Sequence, residues 1–416
     1  MNRLAVVLAA DSATTVTHWG PAGKEERYFK GANKIFQLSN HRPIGLMIFD
    51  SADMLSVPWE LIVKEFRQEL GAKSFNSVAS YAEEFFDFIE NNLMLFPEKI
   101  QKEVFFNAAR TAAYQLLFLP NLGDSATDDE RRAAADAAIV SQRELVAAIG
   151  FPACLDESRL RVAIAAHRDE IIADFEDQKE SLGKYFPSNL EELIDLAIEF
   201  VYKMPFSYLG NTGLVFAGFG DNDIFPSMHE YKSCGLLLGK HVAEEKSSSA
   251  IDHSLPAWLG AFAQTAMSDT FSLGLSEDIY NSLMQTLADE LPDFARSVCG
   301  AAGVPAENVP DVSAIVRAAA QRMGDRVLDR AKQDHAFPLR RVLGVLPIEE
   351  MAELAETLIN LQSLKEKVTK PSETVGGPVD VAVITRSEGL LWIRRKHFFD
   401  PALNSRYIQR QASAYR

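Results

Sequence analysis

Residues 4–10, Leu-Ala-Val-Val-Leu-Ala-Ala, form an unbroken apolar run that stops at Asp11 and Ser12. A half-exposed strand alternates apolar and polar residues, so a run without alternation predicts a strand covered on both faces. Such a strand needs layers above and below it, and the rest of the chain must supply them. A polar connection with Gly20, Pro21 and Gly23 comes next. A second strand is expected at 34–38, and the turn Asn40-His41-Arg42-Pro43 joins it to a third at 44–49, giving a hairpin. The period then changes. Trp59, Ile62, Val63, Phe66 and Leu70 recur at helical spacing, with Pro58 suited to a first turn and Gly71 to a cap. A second amphipathic helix places Val78, Tyr81, Ala82, Phe85, Phe88 and Ile89 on one face, an aromatic stripe that predicts core packing rather than a cofactor box.

From about Leu93 to Met204 the pattern is helical, punctuated by Pro97, Pro120, Gly150, Gly183 and Pro187, with 121–129 reading as a polar linker. Four helices fit this punctuation. Strand signals return at 212–219 and continue over 226–232 and 235–240. Helical patterning resumes near Pro256 and runs to Ala331 with breaks at 300–310. Another helix follows Pro347, and a last hairpin joins 379–384 to 390–393. Strands and helices are thus segregated along the chain, which implies α+β rather than an alternating parallel sheet.

The net charge of −16 over 416 residues opposes binding to phosphate backbones, so no nucleic-acid partner is expected. The C-terminal end alone is basic, with Arg394, Arg395, Lys396, Arg406, Arg410 and Arg416, and reads as a solvated terminus that pairs with an acidic surface. Cys154, Cys234 and Cys299 match neither a disulfide framework nor a zinc pattern, which points to a reducing, cytoplasmic compartment. No apolar stretch approaches the roughly 20 residues that span a bilayer, so no membrane partner is expected. Gly235-Leu236-Leu237-Leu238-Gly239-Lys240-His241 is one residue short of a phosphate-binding loop. His229-Glu230-Tyr231-Lys232-Ser233 has Ser where a zinc-protease helix needs its second His. Neither a metal nor another cofactor is expected.

Five segments, in order, resemble the proteasome β-subunit-like family of N-terminal-nucleophile hydrolases. These are Val6 to Ser12, Asn33-Lys34-Ile35-Phe36, Ser51-Ala52-Asp53, Phe216 to Gly220 with Pro226-Ser227, and Gly376 to Ile384. The resemblance implies a four-layer αββα sandwich. Residues 1–92 and 208–416 would form its core, with helical elaboration at about 291–345, and 93–207 would be an inserted helical subdomain. It also implies a homo-oligomer, ring or dimer. In that family a terminal threonine hydroxyl attacks the substrate with its own α-amino group as base. A lysine lowers the amine's pKa by like-charge repulsion, and an aspartate holds the lysine. Lys34 and Asp11 match those two roles.

The chain is expected to begin too late for the family's nucleophile, since ten residues precede Asp11 where the family has roughly sixteen, and Met1 and Asn2 offer no hydroxyl. Phe49-Asp50 stands where the family has Gly-Gly. Ser372 and Val375 replace its aspartate and serine, and 261–269 replace the Gly-Ser-rich start of its third helix. The reading these departures favour is a non-catalytic homologue serving assembly or partner binding. The alternative is a threonine-type peptidase whose true start lies upstream or arises by processing. Lys34 and Asp11 read either as a residual catalytic pair or as a structural ion pair. The acidic, Ala-rich helices of 128–200 read either as a protein-binding or ring-blocking element or as solvated helices packed on the core.

Overall fold

The structure is a computed structural model that describes every residue except 21–22, 120–126, 184–185, 305–310, 370–374, 398 and 415–416. Pro21, Pro120, most of the linker at 121–129, the end of the break at 300–310, Ser372 and Arg416 therefore lie outside the described residues. The chain opens with β1 (Ala5–Ala10), β2 (Ala13–Gly20), β3 (Gly23–Lys30), β4 (Ile35–Gln37), β5 (Ile44–Asp50) and the short β6 (Asp53–Met54) and β7 (Val57–Pro58). Helices follow: α1 (Trp59–Leu70), α2 (Val78–Asn91), α3 (Glu98–Phe118), α4 (Asp128–Ala147), α5 (Glu157–Asp177), α6 (Lys179–Leu182), α7 (Leu190–Lys203) and α8 (Pro205–Tyr208). Strands β8 (Thr212–Gly218), β9 (Ser227–Leu237) and β10 (Lys240–Ala250) precede α9 (Ala266–Leu273), α10 (Glu277–Ala301) and α11 (Ser313–Ala331). A π-turn leads to α12 (Phe337–Leu343) and α13 (Ile348–Thr369), then β11 (Asp380–Thr385), β12 (Gly389–Arg394) and α14 (Ser405–Ala414). The class is α+β, with several antiparallel sheets.

Two compact units share the chain. The first comprises Met1–Ile35, Asp223–Ser227 and Ser249–Arg416. Its sheet runs β1-β11-β12, with both neighbouring pairs antiparallel and Ala5 opposite Thr385. Ala5, Val381 and Val383 pack against Ala352 and Ile348 of α13. On the other face of β1, Val6 and Leu8 are buried as well, so this strand is covered on both sides as its unbroken apolar run requires. Asn2 fixes the entry to β1: its Nδ2 donates to the Leu343 and Leu346 carbonyls, and its Oδ1 accepts from Leu4 and Ala5 N–H.

The second unit comprises Phe36–Asn222 and Met228–Ser248. It is built on the sheet β10-β9-β8-β5-β4, with β8 at its centre and β5 antiparallel to β8. The stripes of α1 and α2 cover this sheet: Trp59, Phe66 and Phe85 are fully buried, and Phe85 and Phe86 pack edge-on to Phe216 of β8. The Trp59 indole N–H donates to Thr212 Oγ1 at 3.1 Å, which satisfies a polar atom that burial would otherwise strand. Helices α3, α4, α5 and α7 form a second core in the same unit, around Phe105, Leu193, Ala197 and Val201.

Three strand segments depart from the sequence reading. The segments 226–232 and 235–240 are not separate strands: β9 runs unbroken over Ser227–Leu237 and turns at Leu238 and Gly239, both of positive φ. The polar connection after Asp11 is an antiparallel ribbon, β2 with β3, in register from Ala13↔Lys30 to Gly20↔Gly23. Tyr28 and Phe29 on β3 are exposed, so no core burial imprints apolar alternation on it. Strand β10 (Lys240–Ala250), which carries no apolar run, lies at a sheet edge, where Glu244, Glu245 and Lys246 face solvent.

Candidate functional site

Asp11 lies just past the end of β1, and Lys34 lies between β3 and β4. The Lys34 ammonium donates to Asp11 Oδ1 at 2.6 Å. Asp11 Oδ2 accepts from the Ala13 N–H at 3.0 Å and from the Gly376 N–H at 2.8 Å. The carboxylate is buried, while the lysine side chain keeps 21% of its surface in solvent. The two residues that the family resemblance singles out therefore do meet. Among the described residues, Asp11 is the hydrogen-bonded partner of the Lys34 ammonium.

Most of the surrounding contacts converge on the loop at 375–378. Ser12 N–H donates to the Gly376 carbonyl at 3.1 Å, and Ser12 Oγ donates to the Pro378 carbonyl at 2.5 Å. Glu366 Oε2 accepts from Val375 N–H at 3.0 Å, and Ser363 Oγ donates to the Val375 carbonyl at 3.3 Å. Gly377 has φ +82°, and a Cβ there would come within 3.0 Å of Lys30 Cβ, so only glycine fits the turn without strain. Gln362, one turn before Glu366 on α13, accepts from Met267 N–H at the start of α9 and donates to Gln264.

Gln362 and Glu366 are the residues that sequence reasoning missed. They continue the inner stripe of α13 from Leu358 in steps of four, so a signal was there, but a Glu and a Gln at core positions read as a solvent face. The other segments singled out lie elsewhere. Phe49 pairs with Gly213 across β5 and β8, and its ring occupies the space a Cβ at 213 would need. Asp50 takes a positive φ of 67° at the end of β5. Val375 lies in the loop just described, and 261–269 include the start of α9.

A second arrangement looks catalytic on distance alone. Ser233 Oγ and His241 Nε2 are 2.9 Å apart, and Ser233 Oγ also accepts from Gly235 N–H. Serine and histidine at this separation are the minimum of an activated nucleophile. Here, however, both side chains are sealed: Ser233 is 1% and His241 3% exposed, with the Phe86 ring tilted against the imidazole at 4.6 Å. Burial first, and then the neighbouring Lys240 charge, push the His241 pKa down to about 3, so the ring is neutral and serves to satisfy Ser233 inside the core.

No family model, curated protein or solved structure matches this chain. Among the described residues no helix is long and apolar enough to cross a membrane, and no three His, Cys, Asp or Glu side chains gather where they could hold a metal ion. The first half of the basic C-terminal segment is engaged, while Arg406 and Arg410 on α14 are exposed. Arg394 pairs with Glu356, Arg395 lies over the Trp392 ring at 4.5 Å, and Lys396 binds the buried Asp380.

Proposed function

We propose that this chain is a proteasome-like homologue without hydrolytic activity, which works through assembly or partner binding. The observation that carries the reading is what Asp11 holds among the described residues: one oxygen holds Lys34, and the other holds the Ala13 and Gly376 amides. The adjacent hydroxyl, Ser12, donates to the Pro378 carbonyl and not toward the lysine. The pair therefore acts as a clasp between β1, the segment before β4 and the 375–378 loop. In sequence, Phe49 and Asp50 stand where the resembled family has two glycines, which supports the same reading. The four-layer αββα arrangement, a ring or dimer, and a protein partner for the helices of 93–207 belong to this proposal.

The retained 2.6 Å pair is also what favours the alternative, a threonine-type peptidase in which Lys34 would tune a terminal amine. Incubation with a covalent threonine-protease probe, followed by intact mass and peptide mapping, separates the two. No adduct is expected, under conditions that label an active proteasome. A stoichiometric adduct on a terminal hydroxyl residue would overturn the non-catalytic reading and establish the peptidase.

A further inference from the structure

Helix α10 is 25 residues long and none of its residues is buried, although its sequence is amphipathic. Helices of this kind owe most of their stability to packing of the apolar face. Part of that face is used within the chain. Tyr280, Met284, Leu287 and Leu291 recur at i, i+4, i+7 and i+11 and are half-buried. A Cβ on Gly324 of α11 would meet both Tyr280 and Met284, so this stripe is the seam between the two helices. The start of α10 lies beside the later part of α11, which makes them an antiparallel hairpin.

The apolar surface continues past the seam. On α10, Ile279, Leu283 and Phe294 occupy the flank next to the stripe and are exposed, Phe294 by 65%, and Val298, in line with Tyr280, is an exposed continuation of the stripe itself. On α11 the seam residues are Val316, Ala320 and Gly324, with Val327 in line with them; Met323 lies on the adjoining flank and Ile315 further round the same side, Ile315 exposed by 67%. Helical rotation at 100° per residue puts both flanks on the same side of an antiparallel pair. Together these side chains leave apolar surface in water on one side of the hairpin, the kind of patch that marks an interaction site.

Charge says what fits there. The α10 flank carries Glu290, with Asp293 beyond it paired to Arg296 of the same helix, while the α11 flank carries Arg322 and Arg326; Glu290, Arg322 and Arg326 are all exposed. A hairpin with one acidic and one basic edge is complementary to itself after a two-fold rotation that lays α10 of one copy over α11 of the other. We infer that a second copy of this chain covers this face, and that two hairpins pack into a four-helix contact. The inference stands on α10 and α11 alone and does not depend on whether the Asp11–Lys34 site is catalytic.

The test is sedimentation velocity and light scattering on the full chain over a concentration series. A species of twice the 46.1 kDa chain mass is expected. Phe294→Glu, at an exposed position where folding is unaffected and circular dichroism verifies it, is expected to weaken the dimer at least about tenfold. A chain with Glu290→Lys and Asp293→Lys, and a second with Arg322→Glu and Arg326→Glu, are each expected to be monomeric, and their mixture to form a heterodimer. A wild-type chain that stays monomeric throughout, or an oligomer that ignores Phe294→Glu and the charge reversals, overturns the inference.

Discussion

Replacing Asp11 by Ala removes one acceptor group from three donors at once. Two of those donors, the Ala13 and Gly376 amides, are buried and donate to this carboxylate. A buried amide left without a partner costs about 1–3 kcal/mol, so the two together cost about 4 kcal/mol. Lys34 adds little, because its side chain is 21% exposed and its ammonium can turn to water; a pair of that exposure contributes less than about 1 kcal/mol. The reasoning therefore predicts an asymmetry: Asp11→Ala costs about 4 kcal/mol and Lys34→Ala about 1. Urea titration measures both, and hydrogen exchange localises them. Peptides covering 5–13 and 375–384 are expected to lose protection in Asp11→Ala and to keep most of it in Lys34→Ala. Equal losses in the two variants would refute the claim that the amides, rather than the ion pair, carry the stability.

Gly377→Ala is expected to cost about 1–2 kcal/mol, because φ +82° and the 3.0 Å approach to Lys30 both oppose a side chain; thermal unfolding reads it. Thr212→Val leaves the Trp59 indole N–H buried and unpaired, for an expected loss of about 2 kcal/mol in urea unfolding, while Thr212→Ser retains most of the stability. For His241 the folded pKa lies below the unfolded value, so the unfolded chain takes up the proton first and stability falls as pH drops from about 6.5 towards about 3. That amounts to roughly 2 kcal/mol by about pH 5, and His241→Gln, which keeps an acceptor for Ser233, is expected to flatten this part of the stability profile by the same amount.

Elements with a buried stripe were legible in the sequence because the stripe is what burial selects. The helices α1 and α2 bury Trp59, Ile62, Val63, Phe66 and Leu70, and Val78, Tyr81, Ala82, Phe85, Phe88 and Ile89, the positions their spacing singled out. Where burial is absent the signal disappears with it. The ribbon β2–β3 exposes Tyr28 and Phe29, and the outer part of β10 is a row of Glu, Lys and Ser at a sheet edge. The Asp11–Lys34 contact was legible only through a motif, since nothing in the spacing of residues 11 and 34 brings them together. Glu366 escaped because its partner is a backbone amide nine residues on, across a turn whose path no periodicity encodes.

The polar residues around Asp11 share a common cause. The loop at 375–378 presents the Val375 amide and carbonyl, the Gly376 amide and carbonyl and the Pro378 carbonyl, and it contains two glycines and a proline with little side chain to shield them. Buried backbone groups must find partners. Glu366 and Ser363 take the first two, Asp11 and Ser12 the rest. The fold thus demands an acceptor at position 11 whether or not the chain hydrolyses anything. Lys34 is different, because among the described residues its ammonium bonds Asp11 and none of those hydrogen bonds of the loop uses it. Lys34→Ala therefore bears on function in a way that Asp11→Ala does not. A chain that keeps its stability, its assembly and its inertness to the threonine-protease probe after Lys34→Ala has a clasp with a dispensable counter-ion. A chain that loses probe labelling on that substitution has a catalytic amine that the lysine was tuning.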